Sequence, residues 1–364
     1  MKLLAAASPG EVRVAVVDGA GLYDFALWRP GAPDGVGDVH RGRVIACTPA
    51  LAGAFVALGG GAEGFLPDSA GGAGVTAGQV LAVRITRAAQ GGKGPRLAAA
   101  PETEAASGAP ALLRRGPDAV LRLAGQYPAA PVLADDAALV AALRPALGER
   151  VALVPRAFDE ATESAVAALA EPEADLPGGM RCHIYPTPAL TAIDLDLGAA
   201  TAERGGKASV HMAANRAVLP ALARQIRLRN LSGAILLDMA GLSPKRRAAL
   251  GPDLAAALAD DPLRPRLLGF TALGLAEIVR PRVHPPLHEL FAGPHAAGLE
   301  ALRQLAAEIA ARPGRAPALA AAPSVVAALQ DDAAARADLA RRAGRPLMLR
   351  SDPALAPCGW RIVE

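Results

Sequence analysis

Alternation of apolar and polar positions marks the strands of this chain, and a 3.6-residue period marks its longer helices. Residues 11–28 alternate around a turn at Asp18-Gly19 and predict two short strands, followed by a Pro/Gly-rich connector over 29–35. Between Val39 and Leu97 the apolar runs are short and broken by glycines: 42–46, 53–58, 64–66 and 79–86. Short strands at this spacing predict a small closed barrel. After a low-complexity link over 100–109, helical patterns at 119–123, 137–147 and 161–170 are interspersed with apolar strands such as 151–154. Two acid-bearing strands follow, at 190–196 and 234–238, joined by a basic helix over 213–229. The remainder predicts a helix over 244–259, a strand at 266–270, helices over 298–311 and 324–340, and a last strand at 360–363.

The acids are the first chemical signal. Side chains alternate along a strand, so Asp194 and Asp196 project from one face. If the two strands are neighbours, Asp238 completes a group of three carboxylates. Hard oxygen ligands of this kind suit Mg²⁺ or Mn²⁺, and a metal so held suits phosphodiester chemistry. The competing reading is that strand-end acids form turns, with Asp238 capping the turn before Ser243-Pro244.

On the joining helix, Arg216, Arg224 and Arg227 fall in one sector, while Leu219, Leu222 and Ile226 fall in another. That arginine sector reads either as a solvated face or as a phosphate-binding surface beside the metal. Asn215 lies on the apolar side, toward the acid strands, and Pro220 predicts a kink or a later helix start. In the barrel, Phe55 and Phe65 are two of six phenylalanines. They either fill the barrel core or stack on unpaired bases while Lys93 and nearby arginines meet phosphates. The glycines at 59–64 fit a dinucleotide pattern, but Phe65-Leu66-Pro67 is a poor helix opening, which excludes that site.

Composition narrows the rest. Apolar residues reach 52% but aromatics only 3%, and the formal charge of +3 permits nucleic-acid binding without requiring it. Cys47, Cys182 and Cys358 are widely spaced and odd in number, which argues for a reducing compartment. The alanine-rich start has too short an apolar run for a secretion signal, and no stretch is long enough to span a bilayer. A cytoplasmic setting is therefore expected. His284 and His288 flank two prolines and read as loop histidines; Cys182 and His183 read as ordinary strand residues.

These segments resemble the ribonuclease E/G family in order through most of the chain. The barrel looks like that family's S1 domain. The acid strand at 190–196, the run 223–233, the run 235–239 and the run 273–282 resemble its catalytic block. The resemblance implies an α/β multidomain chain with an S1 (OB-fold) barrel at 36–99. The barrel would be inserted in an RNase H-like subdomain made of 1–35 and 110–175. A DNase I-like catalytic subdomain over 176–290 and a small C-terminal α/β domain over 295–364 would follow. It implies Mg²⁺-dependent endonucleolytic cleavage of single-stranded RNA, in rRNA processing or mRNA turnover, with the metal on Asp194 and Asp238. Asp196 or Asn215 would orient the metal or its water, and Phe55, Phe65, Lys93, Arg224 and Arg227 would hold RNA. The chain departs from the family pattern, which usually has asparagine at Asp196, a second acid at Gly241 and an arginine at Ala272. It has no zinc-link cysteines between Pro286 and Gly298, and little length between Ala100 and Pro110 for a 5′-monophosphate sensor. Any homo-oligomer would therefore lack the zinc link. The rival reading is a non-catalytic RNA-binding protein that retains the fold.

Overall fold

The computed structural model describes residues 1–101, 107–198, 207–312, 314–315 and 317–364, so half of the link expected over 100–109 lies outside the described residues. The chain opens with β1 (Lys2–Ser8), β2 (Glu11–Asp18) and β3 (Gly21–Trp28), an antiparallel meander. The first of these carries no strand signal in its alanine-rich sequence, yet it is the central strand of its sheet. Six strands follow: β4 (Val39–Thr48), β5 (Gly53–Ala57), β6 (Glu63–Pro67), β7 (Val80–Arg87), β8 (Arg96–Ala99) and β9 (Ala111–Arg114). The order β5-β6-β8-β7-β4 closes through a β4–β5 pairing into a five-stranded barrel consistent with an OB-fold, and β9 adds to its outside on β4. Val44, Val56, Leu66, Val83 and Leu97 fill the barrel.

The chain then returns to the first sheet. Helices α1 (Ala119–Gln126), α2 (Ala137–Leu147) and α3 (Glu160–Ala167) alternate with β10 (Val132–Ala134) and β11 (Val151–Leu153). Each helix starts at an aspartate, Asp118, Asp136 or Asp159, whose carboxylate accepts the backbone N–H three residues on. Strand β10 pairs in parallel with β1, giving the order β11-β10-β1-β2-β3.

The acid strands lie in a second sheet, formed by β12 (Glu173–Asp175), β13 (Arg181–Pro186), β14 (Leu190–Asp196), helix α4 (Lys207–Leu228) and β15 (Gly233–Asp238). Helices α5 (Pro244–Ala249) and α6 (Gly251–Leu258) and strands β16 (Arg266–Phe270) and β17 (Ala276–Arg280) complete it, in the order β12-β13-β14-β15-β17-β16. The helix expected over 244–259 is thus divided at Leu250–Gly251, and α4 runs through Pro220 as one element. Ile193, Leu195 and Leu237 face inward and pack against Leu219, Leu222 and Ile226 of α4. The same alternation turns Asp194 and Asp196 out of the opposite face.

After α7 (Leu287–Leu290) and α8 (Gly293–Ala311), a small three-stranded sheet closes the chain. It consists of β18 (Ala318–Ala321), helices α9 (Pro323–Asp331) and α10 (Ala333–Ala343), β19 (Leu349–Ser351) and β20 (Trp360–Val363). The single helix expected over 324–340 is two, separated at Asp332, whose side chain caps the second. No helix among the described residues is long and apolar enough to cross a membrane.

Candidate functional site

Strands β14 and β15 are parallel neighbours, with Asp194 opposite Asp238. Parallel neighbours need a crossover, and α4 supplies it, so two acids far apart in sequence meet one ladder spacing, about 5 Å, apart. The row extends across the sheet: Glu173 lies opposite His183, and His183 lies opposite Asp194. Partial burial and then the Asp238 carboxylate raise the pKa of Asp194 above the ordinary carboxylate range, while His183 and Arg247 act in the opposite sense. Arg247, on α5, holds Nη1 2.5 Å from Asp238 Oδ1 and donates from Nε to the carbonyl of Leu242. Asp194, Asp238 and Arg247 border an open cleft of about 370 Å³ that reaches from Asp194 to Gly241.

The expected group of three carboxylates is not assembled. Strand β15 ends at Asp238, two residues short of the position opposite Asp196, which instead lies opposite Arg181 and accepts the N–H of Gly198. Among the described residues no three His, Cys, Asp or Glu side chains converge on one ion position. The pair Asp194 and Asp238 still suits Mg²⁺, which keeps several waters and takes one or two carboxylates together with substrate phosphates.

Asn215 is completely buried and does not face the cleft. Its Nδ2 donates to the carbonyls of His211 and Ala240, and its Oδ1 accepts the N–H of Ala240. With both donors and its acceptor used, it fixes the loop that follows Asp238 and is a positioning residue. Asn215→Ala should lower stability by about 1–3 kcal/mol, read by urea unfolding, because it strands buried backbone groups.

Nearby, Gly241 has φ +63, and a Cβ there would lie 2.4 Å from His211 Nδ1, which bonds the Gly241 carbonyl. The acid that the family pattern leads one to expect at this position has neither the backbone conformation nor the space.

The arginine sector of α4 is not a free phosphate surface. Because the acids point out of one face of the sheet, α4 lies behind the other. Arg227 is buried, donating to the Tyr23 carbonyl and lying 4.1 Å from the Tyr23 ring centroid. Arg224 sits over the same ring, and Arg216 pairs with Asp253. These side chains join α4 to β3 and α6. Arg229, also buried, donates to carbonyls of Leu169, Glu171 and Glu173.

In the barrel, the phenylalanines do not fill the core. Phe55 and Phe65 lie opposite each other on β5 and β6, outside the core, with ring centroids 5.5 Å apart in an edge arrangement. Phe55 is 37% exposed. Lys93 is exposed in a hairpin with Gln90, and the exposed Arg96 that follows registers with Phe65. The hairpin docks on the segment after β17 through Gln90 to the His284 carbonyl and Gly91 to Glu289. His284 lies in the loop as expected, half-buried with its Nδ1 2.5 Å from Asp34 Oδ2, whereas His288 is on α7 rather than in a loop.

Three side chains at the site escaped sequence reasoning: His183, Arg247 and His211. For His183 a signal existed, because alternation places it opposite in facing to buried Cys182, whose thiol is pushed up to about 11 by burial.

The sequence profile of the ribonuclease E/G family matches residues 135–283. Ribonuclease E of Escherichia coli is 26% identical over 396 aligned residues, covering 79% of this chain and 37% of the relative. Ribonuclease E of Synechocystis sp. is 36% identical over 125 residues, covering 34% of this chain and 18% of the relative. Ribonuclease G of Escherichia coli is 32% identical over 123 residues, covering 33% and 25%. The chain thus spans well under two thirds of the length of these relatives. The profile match contains the acid row, its crossover helix and the loop that Asn215 fixes, and the longest alignment carries the likeness across most of the chain: over these residues the protein is similar to the ribonuclease E/G family.

Proposed function

We propose that this chain is a Mg²⁺-dependent endoribonuclease that cleaves single-stranded RNA. The observation that carries the reading is the register of Asp194 against Asp238, two carboxylates facing an open cleft. The names of the relatives, ribonuclease E and ribonuclease G, point to the same chemistry. Asp194 and Asp238 would hold the ion, and a bound divalent cation supplies an activated water and screening of phosphate charge. Arg247 keeps Asp238 in place and limits the repulsion between the acids. Asp196, on the same face beyond them, is placed to orient water rather than to ligate. The exterior Phe55–Phe65 pair supplies stacking surface, and Lys93 supplies charge, for an unpaired strand.

On this reading the five-stranded sheet of β1–β3, β10 and β11 is the RNase H-like subdomain and the sheet with the acids is the DNase I-like one. Processing of rRNA or turnover of mRNA in the cytoplasm, by a homo-oligomer without a zinc link, completes it.

The rival, RNA binding without chemistry, is favoured by one observation: Arg247 already partners Asp238. Incubation of the full chain with an A/U-rich single-stranded RNA and Mg²⁺ separates the two. Internal cleavage that stops on chelation by EDTA, with a hairpin of the same sequence resisting, is the expected outcome. RNA binding without any cleavage would replace the proposal by its rival.

A further inference from the structure

The outward face of the acid sheet carries an aromatic feature that the acid pair does not use. His183 and Tyr185 leave the same side of β13, with rings parallel within 8° and centroids 6.4 Å apart. Stacked planes touch at about 3.4 Å, so parallel rings this far apart are separated by a gap or a large offset. Either way each ring leaves most of a face uncovered by the other. Tyr185 is 54% exposed. Opposite it on β14 stands Ala192, which is too short to cover the ring, while His183 stands opposite Asp194. An open ring of this size matters in a chain with only 3% aromatic residues, since burial is where such rings normally stabilise a fold.

We propose that His183 and Tyr185 form a stacking platform for one unpaired nucleobase, next to the phosphodiester at Asp194 and Asp238. The inference rests on the single-stranded RNA reading and adds a subsite to it. One ladder step of about 5 Å separates His183 from Asp194, so a base stacked here belongs to a nucleotide flanking the cleaved bond. Every base has a π-face, so the platform tolerates sequence, but in a duplex those faces are covered by neighbouring pairs. The subsite therefore selects unpaired strands at the point of cleavage, independently of the barrel. A Glu173 carboxylate 3.5 Å from His183 Nδ1 steadies the inner ring.

The test uses the full chain, Mg²⁺ and a cleavage-resistant 2′-O-methyl single-stranded oligonucleotide carrying 2-aminopurine at each position in turn. Wild type and Tyr185→Phe should quench one position on binding. Tyr185→Ala should lose that quench and bind about 5- to 100-fold more weakly. Tyr185 is exposed, and the Phe variant controls for folding. Unchanged quench and affinity in Tyr185→Ala overturn the platform alone. Failure of wild type to bind overturns the platform and the RNA reading together. Loss of the quench in a protein that binds RNA but does not cleave it supports the platform while removing the nuclease.

Discussion

Asp238→Asn is expected to slow RNA cleavage by at least about 10²-fold while leaving RNA affinity within about twofold. The factor is the usual one for removing a single group that stabilises charge in a transition state. The substitution keeps the size of the side chain and its place opposite Asp194, so it removes charge rather than packing. It also leaves Arg247 without its anion and relieves the repulsion that raises the pKa of Asp194. Without divalent metal these two effects oppose each other, so the melting temperature of the variant should stay close to that of the wild type. Addition of Mg²⁺ should raise the melting temperature of the wild type and leave that of the variant unchanged, since a ligand stabilises only a state that binds it. Single-turnover cleavage, fluorescence anisotropy and calorimetry give the three readouts. A variant that cleaves within tenfold of wild type would remove Asp238 from the chemistry (about 1.4 kcal/mol).

Arg280→Met acts on stability instead. Arg280 and Asp261 are each about 4% exposed, joined at 2.7 Å, and Arg280 also donates to Asn230 and to the Leu231 carbonyl. Removing the cation leaves Asp261 charged and buried, at a cost of about 3–5 kcal/mol. The double variant Arg280→Met/Asp261→Leu should recover much of that loss, because desolvation of an ion pair consumes most of its Coulomb attraction. Urea unfolding of the two variants beside wild type measures both effects. Arg280 lies opposite Gly233, at the far end of β15 from Asp238, so the folded fraction of the variant should keep its cleavage rate.

The parts of the site legible in the sequence were those governed by short-range alternation. Leu190–Asp196 reads correctly as a strand with Ile193 and Leu195 inward and both acids outward, because each position depends only on its neighbours. The barrel strands were legible for the same reason, and the chain does close them into one. What alternation could not supply was what covers a face. Arg224 and Arg227 share a polar sector that helical periodicity leaves as a solvated face or a phosphate surface, yet Tyr23, some two hundred positions earlier, lies against it. Asn215 pointed inward as its sector implied, but its partners are backbone groups of Ala240 and His211, which no residue pattern encodes. Asp196 missed the acid row because β15 stops at Asp238, and strand ends are set by tertiary pairing. The strand Lys2–Ser8 was invisible because alanine has low strand preference and the sheet environment overrides it.

Gly241 and His211 together decide what position 241 can hold. An acid at position 241 has to find a backbone φ near +63 tolerable and a space already taken by the imidazole. Replacing the glycine first produces a clash, whereas shortening His211 first opens room at the cost of one hydrogen bond to the Gly241 carbonyl. A carboxylate at position 241 therefore requires a change in the backbone and at His211 as well as at the glycine itself. The present two-acid arrangement is consequently fixed by residues outside the acid pair as well as by the pair itself.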